Sequence, residues 1–223
     1  MLKSLIFIIL FGFNSQLMAQ QTYLALGDSY TIGEGLDLEE SWPFQLVDSL
    51  NAKGFEFDFP RIIAKTGWRT DELIHAIDKK LGDKKQFDMV SLLIGVNNQY
   101  QEKPFGQYKR EFKKLLETAI SKCRYENKAV FVVGIPDYGV TPFAKDKGKT
   151  NAIKDLKRYN KFAKKQCQKH DVPFYDITDL SAELSKTDTM LIEDRLHPNA
   201  KQYQAWVESF FVDVVEQMKN ILI

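Results

Sequence analysis

The chain has 223 residues, 44% hydrophobic and 13% aromatic, with 31 Lys and Arg against 30 Asp and Glu. That composition excludes collagen, a coiled coil and a disordered chain, and the length allows one sizeable hydrophobic core without disulfide staples. A formal net charge of +1 supplies no bulk field to gather nucleic acid or an anionic membrane, so any partner has to be recognised by a local site.

Residues 1–19 read as a secretory signal peptide. Met1-Leu2-Lys3-Ser4 is a short basic n-region, residues 5–13 are almost unbroken apolar, and Leu17-Met18-Ala19 is an A-x-A-like cleavage site. The apolar run falls well short of the roughly 20 residues that span a bilayer, so cleavage leaves no stable membrane insertion. Residues 20–223 are then expected to form one exported domain, periplasmic or secreted.

Along that domain, short runs rich in Val, Ile and Phe alternate with segments of helical periodicity. Strands are predicted over 22–26, 55–64, 89–94, 129–135 and 173–177. Helices are predicted over 42–52, 70–81, 108–123, 152–169 and 199–218, where apolar residues recur at spacings of three and four. The alternation is that of βαβ units, which predicts an α/β fold: a three-layer α/β/α sandwich around a five-stranded sheet. The strands at 89–94 and 129–135 carry no polar face and read as buried on both sides.

Two features in this stretch have a structural and a functional reading. Cys123 and Cys167 would meet oxidising conditions after export, so a disulfide and two buried thiols both stand open. Residues 145–170 hold ten Lys or Arg against two Asp. Ile153, Leu156, Tyr159, Ala163 and Cys167 share one helical face there, which leaves the bases outward as a solvated surface. Attraction of an anionic substrate or cell-envelope polymer is the competing reading.

In open parallel sheets ligands bind beyond the carboxyl ends of the strands. Ser29, in Gly27-Asp28-Ser29-Tyr30, follows the first strand, where backbone N–H groups and its hydroxyl can face one point. An alcohol needs a base to become a nucleophile at neutral pH. His75 lies within a helical pattern and His170 ends a Lys-rich helix, so both read as structural or surface residues. His197 stands in Asp194-Arg195-Leu196-His197-Pro198, where an acid three residues earlier in a tight turn can fix the imidazole tautomer. Gly67 and Asn97, after the second and third strands, can donate to an oxyanion, although Gly and Asn are also ordinary turn residues. Asp28 reads as a structural acid supporting the serine turn.

Other chemistries lack their residues. There is no Gly-x-Ser-x-Gly elbow and no Gly-x-x-x-x-Gly-Lys-Ser/Thr phosphate loop. Three widely separated histidines make a thin supply of metal ligands, so neither metal nor cofactor is expected.

Taken together the blocks Gly27-Asp28-Ser29-Tyr30, Gly67, Gly95-Val96-Asn97-Asn98 and Asp194-Arg195-Leu196-His197 resemble those of the SGNH/GDSL hydrolases, in the same order. The resemblance implies strand order 2-1-3-4-5. It also implies Ser29 as nucleophile, His197 as general base and acid, and Asp194 as its orienting acid. The Ser29 N–H, Gly67 N–H and Asn97 would form the oxyanion hole. Two positions depart from the family pattern. Asn98 stands where Asp is usual, a change expected to alter local hydrogen bonding more than chemistry, and Tyr30 stands in place of Leu.

The expected activity is that of an exported serine esterase on short acyl or O-acetylated carbohydrate esters, passing through an acyl-enzyme. A lysophospholipase or thioesterase for longer chains is the alternative, and a non-catalytic glycan-binding module on the same scaffold the third reading. Tyr30, Trp68, Asn98 and Tyr138 are the candidate substrate contacts, with Trp42, Tyr100 and Phe143 as further aromatic candidates. Residues 135–142, stiffened by two prolines, are expected to form a pocket wall.

Overall fold

The computed structural model describes residues 20–82 and 87–222. The expected signal peptide over 1–19 lies outside the described residues. In chain order the elements are β1 (Tyr23–Gly27), α1 (Ser29–Ile32), α2 (Trp42–Asn51), β2 (Arg61–Ile63), α3 (Thr70–Lys80), β3 (Met89–Leu93), α4 (Val96–Tyr100), α5 (Phe105–Lys122), β4 (Val130–Val133), α6 (Pro142–Asp146), α7 (Ala152–Lys169), β5 (Phe174–Tyr175), α8 (Thr178–Leu184) and α9 (Ala200–Leu222).

The five strands are all parallel and lie in the order β2-β1-β3-β4-β5, as the resemblance implied. Leu26 pairs with Ile63 on one side and Leu92 on the other, and Leu92 pairs in turn with Val132. The three central strands are buried along their whole length, because helices cover both faces of the sheet. Helices α2 and α9 pack together in one layer, and α3, α5 and α7 pack side by side in the other. Trp42 anchors the first layer: it is completely buried, with its ring edge-on to Phe131 at 6.4 Å and to Phe210 at 6.2 Å. Truncating a ring so placed costs about 3–5 kcal/mol. Trp42 is therefore a core residue and not a substrate contact.

The edge strands are shorter than the sequence suggested. In place of a continuous strand over 55–64, Arg61–Ile63 forms the ladder with β1 and Phe57 makes one isolated parallel bridge to Gln21, with the pairing slipped by one residue between the two. The Asn51 side chain takes both backbone groups of Phe57, accepting from its N–H at 2.8 Å and donating to its carbonyl at 2.9 Å. Pro60 then has no N–H to offer a ladder. Phe55 and Phe57 are nonetheless buried, which is why the segment looked strand-like. At the other edge only Phe174 and Tyr175 pair with β4. Four short helices, α1, α4, α6 and α8, went unseen because one or two turns carry no readable period.

Cys123 and Cys167 are both buried and form no disulfide. Burial pushes the Cys167 thiol up to about 12. Among the described residues no helix is long and apolar enough to cross a membrane.

Candidate active site

Chain geometry at the end of β1 places Ser29 and its neighbours. Asp28 is completely buried at the head of α1, and its side chain accepts the Tyr30 N–H at 3.1 Å. That bond satisfies one of the donors a helix start leaves open. Burial pushes the Asp28 carboxyl up to about 7, and the Tyr30 and Gly95 N–H groups pull it back only in part. Ser29 follows as the first helical residue, and Tyr30 lies beneath the site, with its ring 5.3 Å from the His197 ring and 6.1 Å from Trp206.

His197 arrives from the opposite end of the chain on a closed turn. The Ile192 N–H donates to the His197 carbonyl at 3.0 Å, the Arg195 N–H donates to the Ile192 carbonyl at 2.9 Å, and Arg195 sits at a φ of 61°. Asp194 closes the turn from inside. Its Oδ1 accepts the N–H groups of Leu196 at 2.8 Å and His197 at 2.9 Å, while Oδ2 meets His197 Nδ1 at 2.5 Å. Burial raises the Asp194 carboxyl, but the His197 ring and these backbone donors outweigh it and hold the carboxyl below its usual range. Asp194 is therefore ionised and accepts only, so Nδ1 carries the imidazole proton. Nε2 is left as the acceptor facing Ser29 Oγ at 2.9 Å, across 168 residues of sequence.

Two glycines need their special backbone. Gly67 has a φ of +80° with open space where a side chain would be, so the turn and not crowding demands glycine. Gly95 has a φ of +125°, and a Cβ there would come within 2.5 Å of the Tyr108 ring. Helix α4 grips the Gly67 loop from below. Asn97 Nδ2 donates to the Trp68 carbonyl at 3.1 Å, and Gln101 Nε2 donates to the Gly67 carbonyl at 3.1 Å. Four residues apart, these two side chains share a helix face and fix the orientation of the 67–68 and 68–69 peptides. Among the described residues no protein acceptor takes the N–H of Ser29 or of Gly67. One hydrogen of the Asn97 amide is likewise left over after Trp68 is satisfied.

Ser29, His197, Gly67 and Asn97 open onto one cavity of about 150 Å³. Its remaining walls are Tyr30, Thr66, Val96, Tyr100, Tyr138, Phe143 and Leu196. Tyr138, in the expected wall segment, is held by donation of its hydroxyl to Gln99 Oε1 at 2.7 Å. The wall itself is fixed by Asn160 of α7, which accepts the Ile135 N–H and donates to the Ile135 carbonyl, both at 2.9 Å.

Two of the expected substrate contacts lie elsewhere. Asn98 is completely buried behind the site, where Oδ1 accepts the Thr70 N–H at 3.0 Å and Nδ2 donates to Thr70 Oγ1 at 2.8 Å. Trp68 turns into a separate groove beside His75, with Lys80 above its ring at 6.0 Å. Both follow from the local chain path. The side chains after Gly67 and Asn97 turn away from the cavity, and only the Trp68 carbonyl turns back, to Asn97. Val96, Leu196 and Thr66 line the cavity without having been singled out, since they carry no chemistry a motif would show. Among the described residues no cluster of three or more His, Cys, Asp or Glu could hold a metal ion.

The profile of the GDSL-like lipase/acylhydrolase family matches residues 25–205. The chain belongs to that family. It is accordingly a hydrolase that acts on ester bonds. No curated protein matches the sequence. Among solved structures, this GDSL-like hydrolase is similar in fold to a lipase/acylhydrolase from Enterococcus faecalis, at 19% identity and TM-score 0.65, covering 89% of this chain and 97% of that one. An acetylxylan esterase from Geobacillus stearothermophilus matches at 17% identity and TM-score 0.65, over 87% of this chain and 94% of the other. An esterase from a psychrotrophic Pseudoalteromonas species, inhibited by monoethylphosphonate, matches at 15% identity and TM-score 0.64, over 90% and 100%.

Proposed function

We propose that the protein is an exported serine esterase for short acyl groups, with Ser29, His197 and Asp194 as its catalytic triad and residues 20–223 as the mature domain. The observation that supports this most is the unbroken chain Ser29 Oγ–His197 Nε2–His197 Nδ1–Asp194 Oδ2, at 2.9 and 2.5 Å. In the first step Ser29 Oγ bonds to the ester carbonyl carbon as its proton passes to His197 Nε2. The imidazolium is stabilised by ionised Asp194. The carbonyl oxygen takes the negative charge and is met by the Ser29 N–H, the Gly67 N–H and Asn97 Nδ2. The C–O bond to the alcohol then breaks, and the alcohol leaves with the His197 proton. A water, deprotonated by His197, attacks the acyl-enzyme and releases the acid with Ser29 restored.

Size favours small acyl groups. A cavity of about 150 Å³ corresponds to roughly five waters at about 30 Å³ each, well below the ~300 Å³ where ordinary ligand pockets begin. Acetyl to butyryl would fill such a cavity, whereas a long lysophospholipid or thioester chain would extend beyond it. The walls carry no Asp, Glu, Lys or Arg side chain, which suits an uncharged acyl group. The apolar run over 5–13 and the small residue at Ala19 support export.

A p-nitrophenyl ester series from acetyl to palmitoyl tests the reading with Ser29→Ala alongside. Turnover is expected to peak at two to about four carbons, fall beyond, and vanish in the variant. Rates that climb past about eight carbons would favour the lipid alternative, and undiminished turnover by Ser29→Ala would remove the triad. Mass spectrometry of the protein from its native host is expected to place its start next to Ala19.

A further inference from the structure

The charges of this nearly neutral chain are segregated. Residues 34–58 hold seven Asp or Glu against one Lys, whereas residues 145–170 hold ten Lys or Arg against two Asp. On α7 the buried side is apolar, with Leu156, Tyr159, Ala163 and Cys167 in the core. Lys154, Lys157, Arg158, Lys161, Lys164 and Lys165 all fall on the opposite, exposed side. Arg158 pairs with Asp155 at 3.4 Å, and none of those five lysines has an ion pair among the described residues. Eleven helical steps from Lys154 to Lys165 make this a straight row of about 16 Å.

The row continues to the active site. The first turns of α7 pack against the segment that carries Tyr138. Two more lysines stand over rings that line the cavity, Lys147 over Phe143 at 6.0 Å and Lys149, which pairs with Glu102 at 2.6 Å, over Tyr100 at 5.7 Å. Beside the row, a groove of about 260 Å³ runs between Lys157, Lys161 and Lys164 on one wall and Asp176 and Asp179 on the other. A straight cationic row that ends at a reaction pocket fits an extended polyanion better than a compact ligand. The large exposed hydrophobics Leu38, Phe59 and Val212 lie away from α7, so the row has no apolar side chain to anchor in lipid.

We propose that the outward face of α7 is a binding track for an anionic polysaccharide, and that the ester hydrolysed at Ser29 is a small acyl group borne by that polymer. The substrate part of this assignment rests on the esterase reading above. The track holds carboxylate or sulfate groups of the chain and feeds its acylated hydroxyls to the cavity past Lys149 and Lys147. The acidic surface over 34–58 repels the same polymer and leaves one productive orientation.

The test compares O-acetylated polygalacturonate with O-acetylated glucomannan, an uncharged polymer, and with p-nitrophenyl acetate. The enzymes are the wild type, a charge-reversed variant (Lys157→Glu, Lys161→Glu, Lys164→Glu, Lys165→Glu) and the same four positions changed to Gln. KM on the polygalacturonate is expected to rise about tenfold between roughly 20 and 300 mM NaCl, as screening shortens the reach of the lysines. The Glu variant is expected to raise it about tenfold at low salt and the Gln variant by less, with kcat unchanged. Glucomannan and p-nitrophenyl acetate should show neither effect. Equal, salt-independent KM values for both polymers would overturn the track, as would loss of binding to anionic phosphatidylglycerol vesicles in the variants with polymer turnover intact. Retention of unacetylated polygalacturonate by Ser29→Ala protein separates the two proposals. Retention lost in the Glu variant upholds the track even if no ester is turned over, and no retention by any form refutes it even if p-nitrophenyl acetate is hydrolysed.

Discussion

Replacing Asp28 by Asn is expected to change how stability depends on pH. Burial raises the Asp28 carboxyl from its ordinary 3.8 to about 7, so the folded protein holds that proton more tightly than the unfolded chain. Below about pH 4 both states are protonated and the contribution is complete; as pH rises toward 7 the unfolded chain has released the proton and the folded protein has not. Stability therefore falls by about 1.4 kcal/mol per pH unit across this window, with a ceiling of about 4 kcal/mol that solvent relaxation reduces to about 2. The amide of the Asp28→Asn variant keeps an acceptor for the Tyr30 N–H, which the carboxyl accepts at 3.1 Å, and cannot ionise. Every other titrating group is common to both proteins and cancels in the difference. Thermal melts at several pH values from about 4 to 8 should show the melting temperature of Asp28→Asn gaining on the wild type up to about pH 7 and then levelling. For a domain of this size the gain is about 4–8 °C. A constant offset between the proteins measures only the packing change. A difference that does not vary with pH would refute the reasoning.

Three further outcomes follow from the site. Asn97→Ala removes the proposed oxyanion donor and is expected to lower kcat about 100- to 1,000-fold with little change in KM, read from initial rates on p-nitrophenyl acetate. Asn98→Asp, which installs the usual family residue, is expected to destabilise the protein by about 1–3 kcal/mol, seen as a lower urea midpoint at unchanged slope. Asn98 Nδ2 donates to Thr70 Oγ1, whose one proton goes to Glu111 at 2.5 Å, so a carboxylate there would face an oxygen with nothing left to give. Tyr138→Ala opens the cavity wall and is expected to move the acyl optimum toward longer chains in the p-nitrophenyl ester series, with acetyl turnover reduced as the small group loses its contacts.

The sheet was legible because its centre is chemically simple. Strands β1, β3 and β4 are buried on both faces, so they read as Leu- and Val-rich runs whose only polar side chains, Tyr23 and Ser91, satisfy each other at 2.6 Å. The edges were misjudged because burial and ladder pairing come apart there. Phe55 and Phe57 are buried like strand residues, yet this stretch pairs with Gln21 through a single bridge only, while Asn51 takes the N–H and carbonyl of Phe57 itself. Nothing in the sequence announces that an asparagine at the end of one helix will saturate the backbone six residues later. The cysteines were ambiguous for a related reason: spacing cannot tell two core thiols on different helices from a bridge, and the packing of α5 against α7 decides it.

At the site, short-range chemistry was visible and long-range support was not. Asp194 and His197 could be paired from a spacing of three because a tight turn leaves few other arrangements, and the turn observed, with Arg195 at a φ of 61°, is one of them. Trp68 and Asn98 were placed wrongly because adjacency along the chain is not adjacency in space. Each follows a residue that faces the cavity, and in an extended segment or at a helix start the next side chain points elsewhere. What holds the cavity in shape comes from still further away. Asn160 reads as a flaw in the apolar stripe of α7, yet its amide makes both hydrogen bonds that fix Ile135 and so sets the wall carrying Tyr138. A buried Asn is tolerated in a helix only where its donors and acceptor are all met, as they are here by Ile135 and Thr178. The same helix thus holds the cavity wall with its inner face and sets a row of exposed lysines on its outer face, which is what the proposed reading of acyl size and polymer charge asks of one element.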